Sequence, residues 1–375
     1  MVTYPYEWKE LSFKKTINSV PFNIYLKQPR ISGEFIVVQQ GDSPIAGYAN
    51  GSPYRDYKKV VLFGDHTLSL YKPSTPFFVA TDGIRILSCK ENIDRDYLYY
   101  FLQKYKPESE GYKRHFSILL RMDVFLPELS EQQAIASVLS DFDEHIDNLS
   151  ELIEKKKAIR DGALEDLLSG RTRLDGFNGE WEEKSFKDLG DILTGLTYSP
   201  DNIRPSGKLV IRSSNVQDDR LSFEDNVFVD RTCVISEDIK KGDIILCVRN
   251  GSASLIGKSA YANSDLDATF GAFMSNFRCK NHDSSGFVYY FTKSVMFKKF
   301  VKQILGATIN QITKTDLKRV TLKIPVDIEE QQAITQVLTA MDEEIESLKI
   351  EKEKMIQIKE GAMDDLLTGR VRLKV

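Results

Sequence analysis

Cysteine, histidine and tryptophan are scarce in this chain of 375 residues, with four, four and two copies respectively. Cys89, Cys233, Cys247 and Cys279 fall at no metal-ligand spacing and read as reduced, small apolar side chains, so no metal site is expected. His66, His115, His145 and His282 form neither a triad nor a metal-binding pattern. No apolar run approaches the ~20 residues that a membrane span requires. Met1 to Glu10 lacks the charged-then-apolar order of a signal peptide. The expectation is a soluble cytoplasmic protein without a membrane partner.

Signatures of catalysis are also lacking. Gly251-Ser252-Ala253-Ser254-Leu255-Ile256-Gly257-Lys258-Ser259 resembles a phosphate-binding loop but fails on spacing, because five residues separate the glycines where four are required. A strand-to-turn junction fits that stretch better. Pro200-Asp201 with Asp238-Ile239-Lys240 could be forced into a metal-nuclease pattern, yet the first half holds no matching set. The Asn-Pro-Pro-Tyr or Asp-Pro-Pro-Tyr motif of amino-methyltransferases is missing, as is a glycine-rich cofactor loop. No catalytic residue is assigned.

A large excess of one charge is absent too: 51 basic residues face 55 acidic ones, net −4. The distribution carries more information than the total. Residues 1–129 have net charge +3, 130–175 have −5, 176–328 have +2, and 329–375 have −4. Two mildly basic stretches alternate with two acidic ones. This fits DNA on the basic parts and protein on the acidic parts, or simply acidic helices.

What is present above all is an internal repeat. Glu131-Gln132-Gln133-Ala134-Ile135 returns as Glu330-Gln331-Gln332-Ala333-Ile334, and 23 of the 44 positions from Glu131 to Leu174 are identical to those from Glu330 to Leu373. A second repeat opens each half: Glu7-Trp8-Lys9-Glu10 echoes Glu180-Trp181-Glu182-Glu183, using the only two tryptophans. Between these shared parts the halves diverge.

Each shared segment reads as one long helix. Ser130-x-x-Gln133 has capping-box form, and Asp327-x-x-Glu330 offers a related box. Gly170 and Gly369 are the expected left-handed stops. Heptad seams run through Leu139, Phe142, Ile146, Leu149, Ile153, Lys156, Arg160, Ala163 and Leu167, and through Leu338, Met341, Ile345, Leu348, Lys352, Met355, Lys359, Ala362 and Leu366. The charged members are the seam's weak points, which an antiparallel partner helix could accommodate. Ile135, Val138, Ile159 and Leu164, with Ile334, Val337, Ile358 and Met363, widen the apolar stripe. They either pack on the chain's own globular parts or form a docking face for another subunit; the duplication favours docking.

The divergent parts read as mixed α/β with short strands. Expected strands are 35–39, 59–63, 67–70 and 77–80 in the first, and 208–212, 243–248 and 272–278 in the second. Each ends in a short aromatic helix, around Tyr97–Leu102 and Phe287–Phe291, whose rings read as core. Sequence-specific DNA binding needs cations for phosphates, and Arg, Lys, Asn or Gln for base edges. The loop candidates are Gln39, Gln40, Tyr54, Arg55, Tyr57, Lys58 and Lys59, then Arg212, Ser213, Ser214, Asn215, Arg249, Asn250, Ser252, Asn310, Gln311 and Lys314.

This order of parts resembles the specificity subunits of type I restriction–modification systems. Trp181 with Leu189, Gly242-Asp243-Ile244-Ile245-Leu246, Ile256-Gly257-Lys258, and the passage from Gly306-Ala307-Thr308 through Ile324-Pro325 to Glu330-Gln331-Gln332 carry the resemblance. Gly64-Asp65-His66-Thr67-Leu68 is a looser version of the second stretch, and the Pro-Pro before the Glu-Gln pair is missing from both halves. The resemblance implies an α/β mixed, quasi-twofold protein. Its two target-recognition domains (1–129 and 171–328) are separated by two long antiparallel coiled-coil helices (130–170 and 329–369), and its tail (370–375) lies near the N-terminus. It also implies a double-stranded DNA target in two parts, two modification subunits that bind S-adenosylmethionine, and restriction subunits that use ATP and Mg. This chain itself would hold no cofactor. The competing readings are a self-contained methyltransferase or nuclease with duplicated DNA-binding arms, and a coiled-coil scaffold that never touches DNA.

Overall fold

The computed structural model describes residues 4–109, 111, 113–234, 236–307 and 310–374. The chain divides into two units, Met1–Glu151 with Lys349–Val375, and Leu152–Leu348. Each unit is therefore built from sequence-distant pieces. Two long helices, Leu129–Ser169 and Ile328–Leu366, contribute to both units.

Within each unit the two helical segments run antiparallel. In the first, Asp143 meets Lys359 at 2.5 Å and His145 meets Glu351 at 3.8 Å. In the second, Lys156 meets Glu344 at 2.6 Å and Arg160 meets Asp342 at 2.5 Å. Three of the charged seam residues therefore find carboxylates on the facing helix. Asp143 and Asp342 also accept a phenol hydrogen bond from the aromatic helices, Tyr100 at 2.7 Å and Tyr290 at 3.0 Å. Burial foremost, and the adjoining carboxylates, raise both phenol pKa values well above the ordinary one, so each tyrosine stays a donor.

The repeated Glu-Gln-Gln motif has a structural cause. Glu131 takes a two-pronged bond from Arg372 (2.6 and 2.7 Å), and Glu330 takes one from Arg173 (2.5 and 2.8 Å). Each arginine lies just past the end of the other helix, after a glycine with φ near +70°. Each also sits over an opening tryptophan, 5.8 Å from the Trp8 ring for Arg372 and 5.5 Å from Trp181 for Arg173. The glutamines that follow bond carbonyls at the ends of the preceding strands: Gln132 to Pro127, just past its strand, at 2.9 Å, and Gln331 to Pro325 at 2.6 Å. Asp327 caps the second helix by accepting from Glu329 N at 2.9 Å. Ser130, by contrast, lies inside the first helix, which starts at Leu129, so it is not the cap.

Opening strands close against the strands that lead into the helices: Lys9–Ser12 with Asp123–Leu126, and Trp181–Ser185 with Thr321–Pro325. Each unit then holds two larger sheets, and the second also a short pair, Val216–Gln217 with Arg220–Leu221. The first unit orders Ile17–Val20, Ile84–Cys89, Val60–Gly64 and Leu70–Tyr71, beside Ile45–Ala49, Phe35–Val38 and Phe77–Val79. The second orders Gly190–Thr194, Met274–Cys279, Ile244–Cys247 and Ser259–Tyr261, beside Ile203–Arg204, Val227–Val229, Lys208–Ile211 and Ala268–Phe270. The strand expected at 67–70 is cut short, because Leu68 has φ of +58° in a turn. The second unit adds an amphipathic helix, Val295–Ala307, which the sequence pattern did not single out.

The wide apolar stripe faces inward over most of its length. Ile135 and Met363 are buried among Trp8, Tyr97 and Phe101; Ile334 and Leu164 are buried among Phe186, Phe287 and Phe291. Val138 and Val337 pack partly against the same cores. The four buried ones are therefore not a docking face. Full burial of an isoleucine is worth about 2–3 kcal/mol, which a free face would forgo. Among the described residues no helix is long and apolar enough to cross a membrane.

Removing either clamp arginine leaves a buried carboxylate unpaired, since Glu330 is 0% and Glu131 4% exposed. Arg173→Ala and Arg372→Ala are each expected to cost roughly 3 kcal/mol, read by chemical denaturation. Adding Glu330→Gln to Arg173→Ala is expected to recover part of that loss.

Candidate functional site

Strand register makes the two units comparable residue by residue. Cys89 pairs with Ile17 at the edge of its sheet as Cys279 pairs with Gly190. Burial pushes both thiols up to about 12. Counting from that pair, Gly64 at the end of its strand corresponds to Cys247. The amide of Ala80 bonds Val38 O at 2.7 Å, as that of Gly271 bonds Ile211 O at 2.9 Å. The amide of His115 bonds Asp65 O, as that of Ile312 bonds Val248 O, both at 2.8 Å. Gln39-Gln40 thus corresponds to Arg212-Ser213, His66 to Arg249, and Arg114 to Gln311.

This register corrects one reading. Gly64-Asp65 is not the counterpart of Gly242-Asp243, which precedes its strand where Gly64-Asp65 ends one. Both carboxylates are nonetheless buried against an arginine: Asp65 on Arg85 at 2.8 Å, and Asp243 on Arg278 at 2.8 Å. They hold opposite ends of equivalent strand pairs.

In the second unit the candidate loops converge. Asn250 donates to Ser213 Oγ at 3.1 Å. Arg249 and Gln311 form a backbone bridge, and Asn310 donates to Gly251 O at 3.4 Å. Ser252 N bonds Asn250 Oδ1 at 3.0 Å, which shapes the loop tip. Lys314 opens the short helix after Gln311 and is exposed. Three candidates serve packing instead. Asn215 is 0% exposed and consumed by Arg212 N, Ser222 O and Asp225 O. Arg212 is tied to Asp225 at 2.8 Å. Ser214 Oγ points inward with no partner among the described residues. Arg249 has no carboxylate partner among the described residues and is exposed, as Lys314 is.

The first unit divides its candidates. Gln40 accepts from His66 N at 3.2 Å, and His66 Nδ1 lies 3.2 Å from Lys113 O. Arg114 reaches Asp82 at 2.7 Å. Gln39 stays close by, bonding Ser43 O at 2.9 Å. Tyr54–Lys59 precede Val60, at the opposite end of that strand from Gly64. Tyr54 is 7% exposed and packs at a tilt against Phe77 in the core, so it is not a surface reader. Tyr57 gives its carbonyl to Arg95 at 3.4 Å, Arg55 covers the Phe35 ring, and Lys58 and Lys59 are exposed. His66, Asp82, Lys113 and Arg114 escaped sequence reasoning, because only strand register shows that they occupy the positions of the second unit's loops. Phe273, 53% exposed and 5.1 Å under the Arg249 guanidinium, escaped it as well.

Of the expected docking residues, Ile159 (59% exposed) and Ile358 (54%) remain open to solvent. They occupy the same position in the two repeats. Thr308, named in the motif after the second variable part, lies outside the described residues.

A family model described as "Type I restriction modification DNA specificity domain" matches residues 6–157 and 178–359. The chain is 29% identical over 201 residues to the EcoKI specificity subunit of Escherichia coli K12, covering 52% of this chain and 43% of that protein. It is 28% identical over 267 residues to the MjaVIII specificity subunit of Methanocaldococcus jannaschii, covering 66% and 62%. The chain thus matches about half the length of these relatives. In fold it is similar to the S subunit of a type I system from M. genitalium, with TM-score 0.65, 15% identity and 96% of both chains covered. A chain from a study of assembly and conformational transition in the type I R-M system gives TM-score 0.58 at 14% identity, covering 98% of this chain and all of that one.

The division between packing and surface residues is open to measurement. Asn215→Ala is expected to lower unfolding free energy by roughly 2–3 kcal/mol, since it removes three hydrogen bonds made by a fully buried side chain. Arg249→Ala is expected to stay within about 0.5 kcal/mol of the parent. Urea denaturation of the two variants checks both.

Proposed function

The chain belongs to the type I restriction modification DNA specificity domain family, and from that premise we propose that it is the non-catalytic, sequence-reading component of a type I restriction–modification complex. One observation carries this reading: two units share a strand frame yet present different side chains on it. Gln40, His66 and Arg114 in the first unit stand where Ser213, Arg249 and Gln311 stand in the second. A duplicated scaffold with unlike loops suits a DNA target of two unlike halves. Arg, Gln, Asn and His at such positions can pair with base edges in the major groove, while lysines such as Lys113 and Lys314 meet phosphates.

The helices then set the register of the two readers and receive partner subunits. Ile159 and Ile358 are the apolar centres of that reception on this reading, one for each of two methyltransferase subunits. S-adenosylmethionine would be held by those subunits, and ATP with Mg by restriction subunits. All of this would take place in the cytoplasm.

The test exchanges residues 15–125 for the corresponding part of another specificity protein and maps adenine methylation in cells carrying the chimaera and its methylating partner. One half of the methylated sequence is expected to change while the other persists. An unchanged sequence would remove the reading, as would methyl transfer or cleavage by the purified chain alone. Separately, Ile159→Asp with Ile358→Asp is expected to reduce co-purification of the methylating partner at least tenfold, with the melting temperature within a few degrees of the parent.

A further inference from the structure

The turn between Ala268–Phe270 and Met274–Cys279 carries an aromatic ring among polar side chains. Phe273 is 53% exposed, although most large apolar residues around it are fully buried. A single exposed phenylalanine needs no explanation by itself. Its setting supplies one.

First, the turn is held rigidly. Phe273 O accepts from both Val248 N (3.0 Å) and Arg249 N (3.1 Å), and Met274 N bonds Gly271 O at 2.8 Å. The ring is thus presented by a clamped backbone. Second, the Arg249 guanidinium lies over the ring at 5.1 Å, so one face is covered and the arginine is pre-oriented. Third, the neighbours are the polar loop residues already described: Asn250 bonded to Ser213, and Arg249 bridged to Gln311. Fourth, the corresponding turn of the first unit carries Asp82, ion-paired to Arg114 at 2.7 Å. At the ring's own position the first unit has Gly83, whose carbonyl accepts from Asp65 N at 2.7 Å as that of Phe273 accepts from Val248 N, so one frame places an aromatic ring in one unit and no side chain in the other.

Resting on the DNA-reading function above, we propose that Phe273 is a specificity-determining residue that contacts the C5-methyl group of a thymine, beside a guanine read by Arg249. The chemistry follows from the major groove. Thymine alone among the bases projects a methyl group there, and guanine offers O6 and N7 to a two-pronged guanidinium. A ring with one face occupied by Arg249 cannot slide between stacked bases, which needs both faces free. Its open edge and face can still meet a methyl group.

The test uses the native complex isolated through a tag on the full-length chain. Methylation mapping first defines the half-site that persists when residues 15–125 are exchanged; that half belongs to the second unit. It is expected to contain a guanine next to a thymine on one strand. Phe273→Ala is expected to relax the thymine position, with the guanine retained, while Phe273→Leu keeps most of the preference. In duplexes, replacing that thymine by deoxyuridine is expected to weaken wild-type binding about fourfold, the worth of one buried methyl group. Phe273→Ala is expected to bind both duplexes alike. Equal wild-type binding to the thymine and deoxyuridine duplexes would overturn the proposal, and this arm needs no variant to fold. A half-site without thymine would overturn it too. In either case the persistence of one half-site after the exchange keeps the DNA-reading function intact, so the two failures are told apart.

Discussion

The arginine clamp between the start of one long helix and the tail of the other is the contact on which the rest of the structure depends. Glu131 and Glu330 are buried carboxylates, and a buried carboxylate without a cation is strongly destabilising. Their cations come from Arg372 and Arg173, which lie far away in sequence. Each unit can therefore close only when a helix start, a helix tail and an opening tryptophan meet. The Tyr–Asp–Lys and Tyr–Asp–Arg contacts apply the same logic further along, tying an aromatic helix to both long helices. Charged seam positions that would weaken a plain hydrophobic coil act instead as register pins.

Once each unit is closed in this way, its sheets are free to differ at their loop ends. The paired strands bury Val, Ile, Leu and Phe and tolerate little change. Part of each turn after them packs, as Asn215 does, but residues such as Arg249, Asp82 and Phe273 lie outside the core and can vary without its loss. On the proposed function, a shared frame fixes where a side chain stands, and a divergent rim would decide which base it meets.

The long helices serve two surfaces at once. Most of the apolar stripe is spent inside the chain's own cores, with Ile135, Leu164, Ile334 and Met363 as its deepest members. Only Ile159 and Ile358 are left outside among the eight residues that widen the stripe. That remnant lies at equivalent positions of the two repeats.

Much of this was written into the one-dimensional pattern. The 44-residue repeat, its stop glycines, the paired tryptophans and the absence of catalytic motifs suffice for two units with shared helices and for the family. Most strands follow from runs of β-branched and aromatic residues, such as Val60–Gly64 and Ile244–Cys247. What the pattern could not reveal is which loops meet, because sheet pairing joins residues dozens of positions apart and leaves no local trace. Hence Tyr54 looks like a surface aromatic but is core, and Arg114 looks unremarkable but stands where Gln311 does. Helical periodicity likewise tells which face is apolar and not what covers it. The tertiary structure decided that, by folding each unit's own aromatic core onto the stripe.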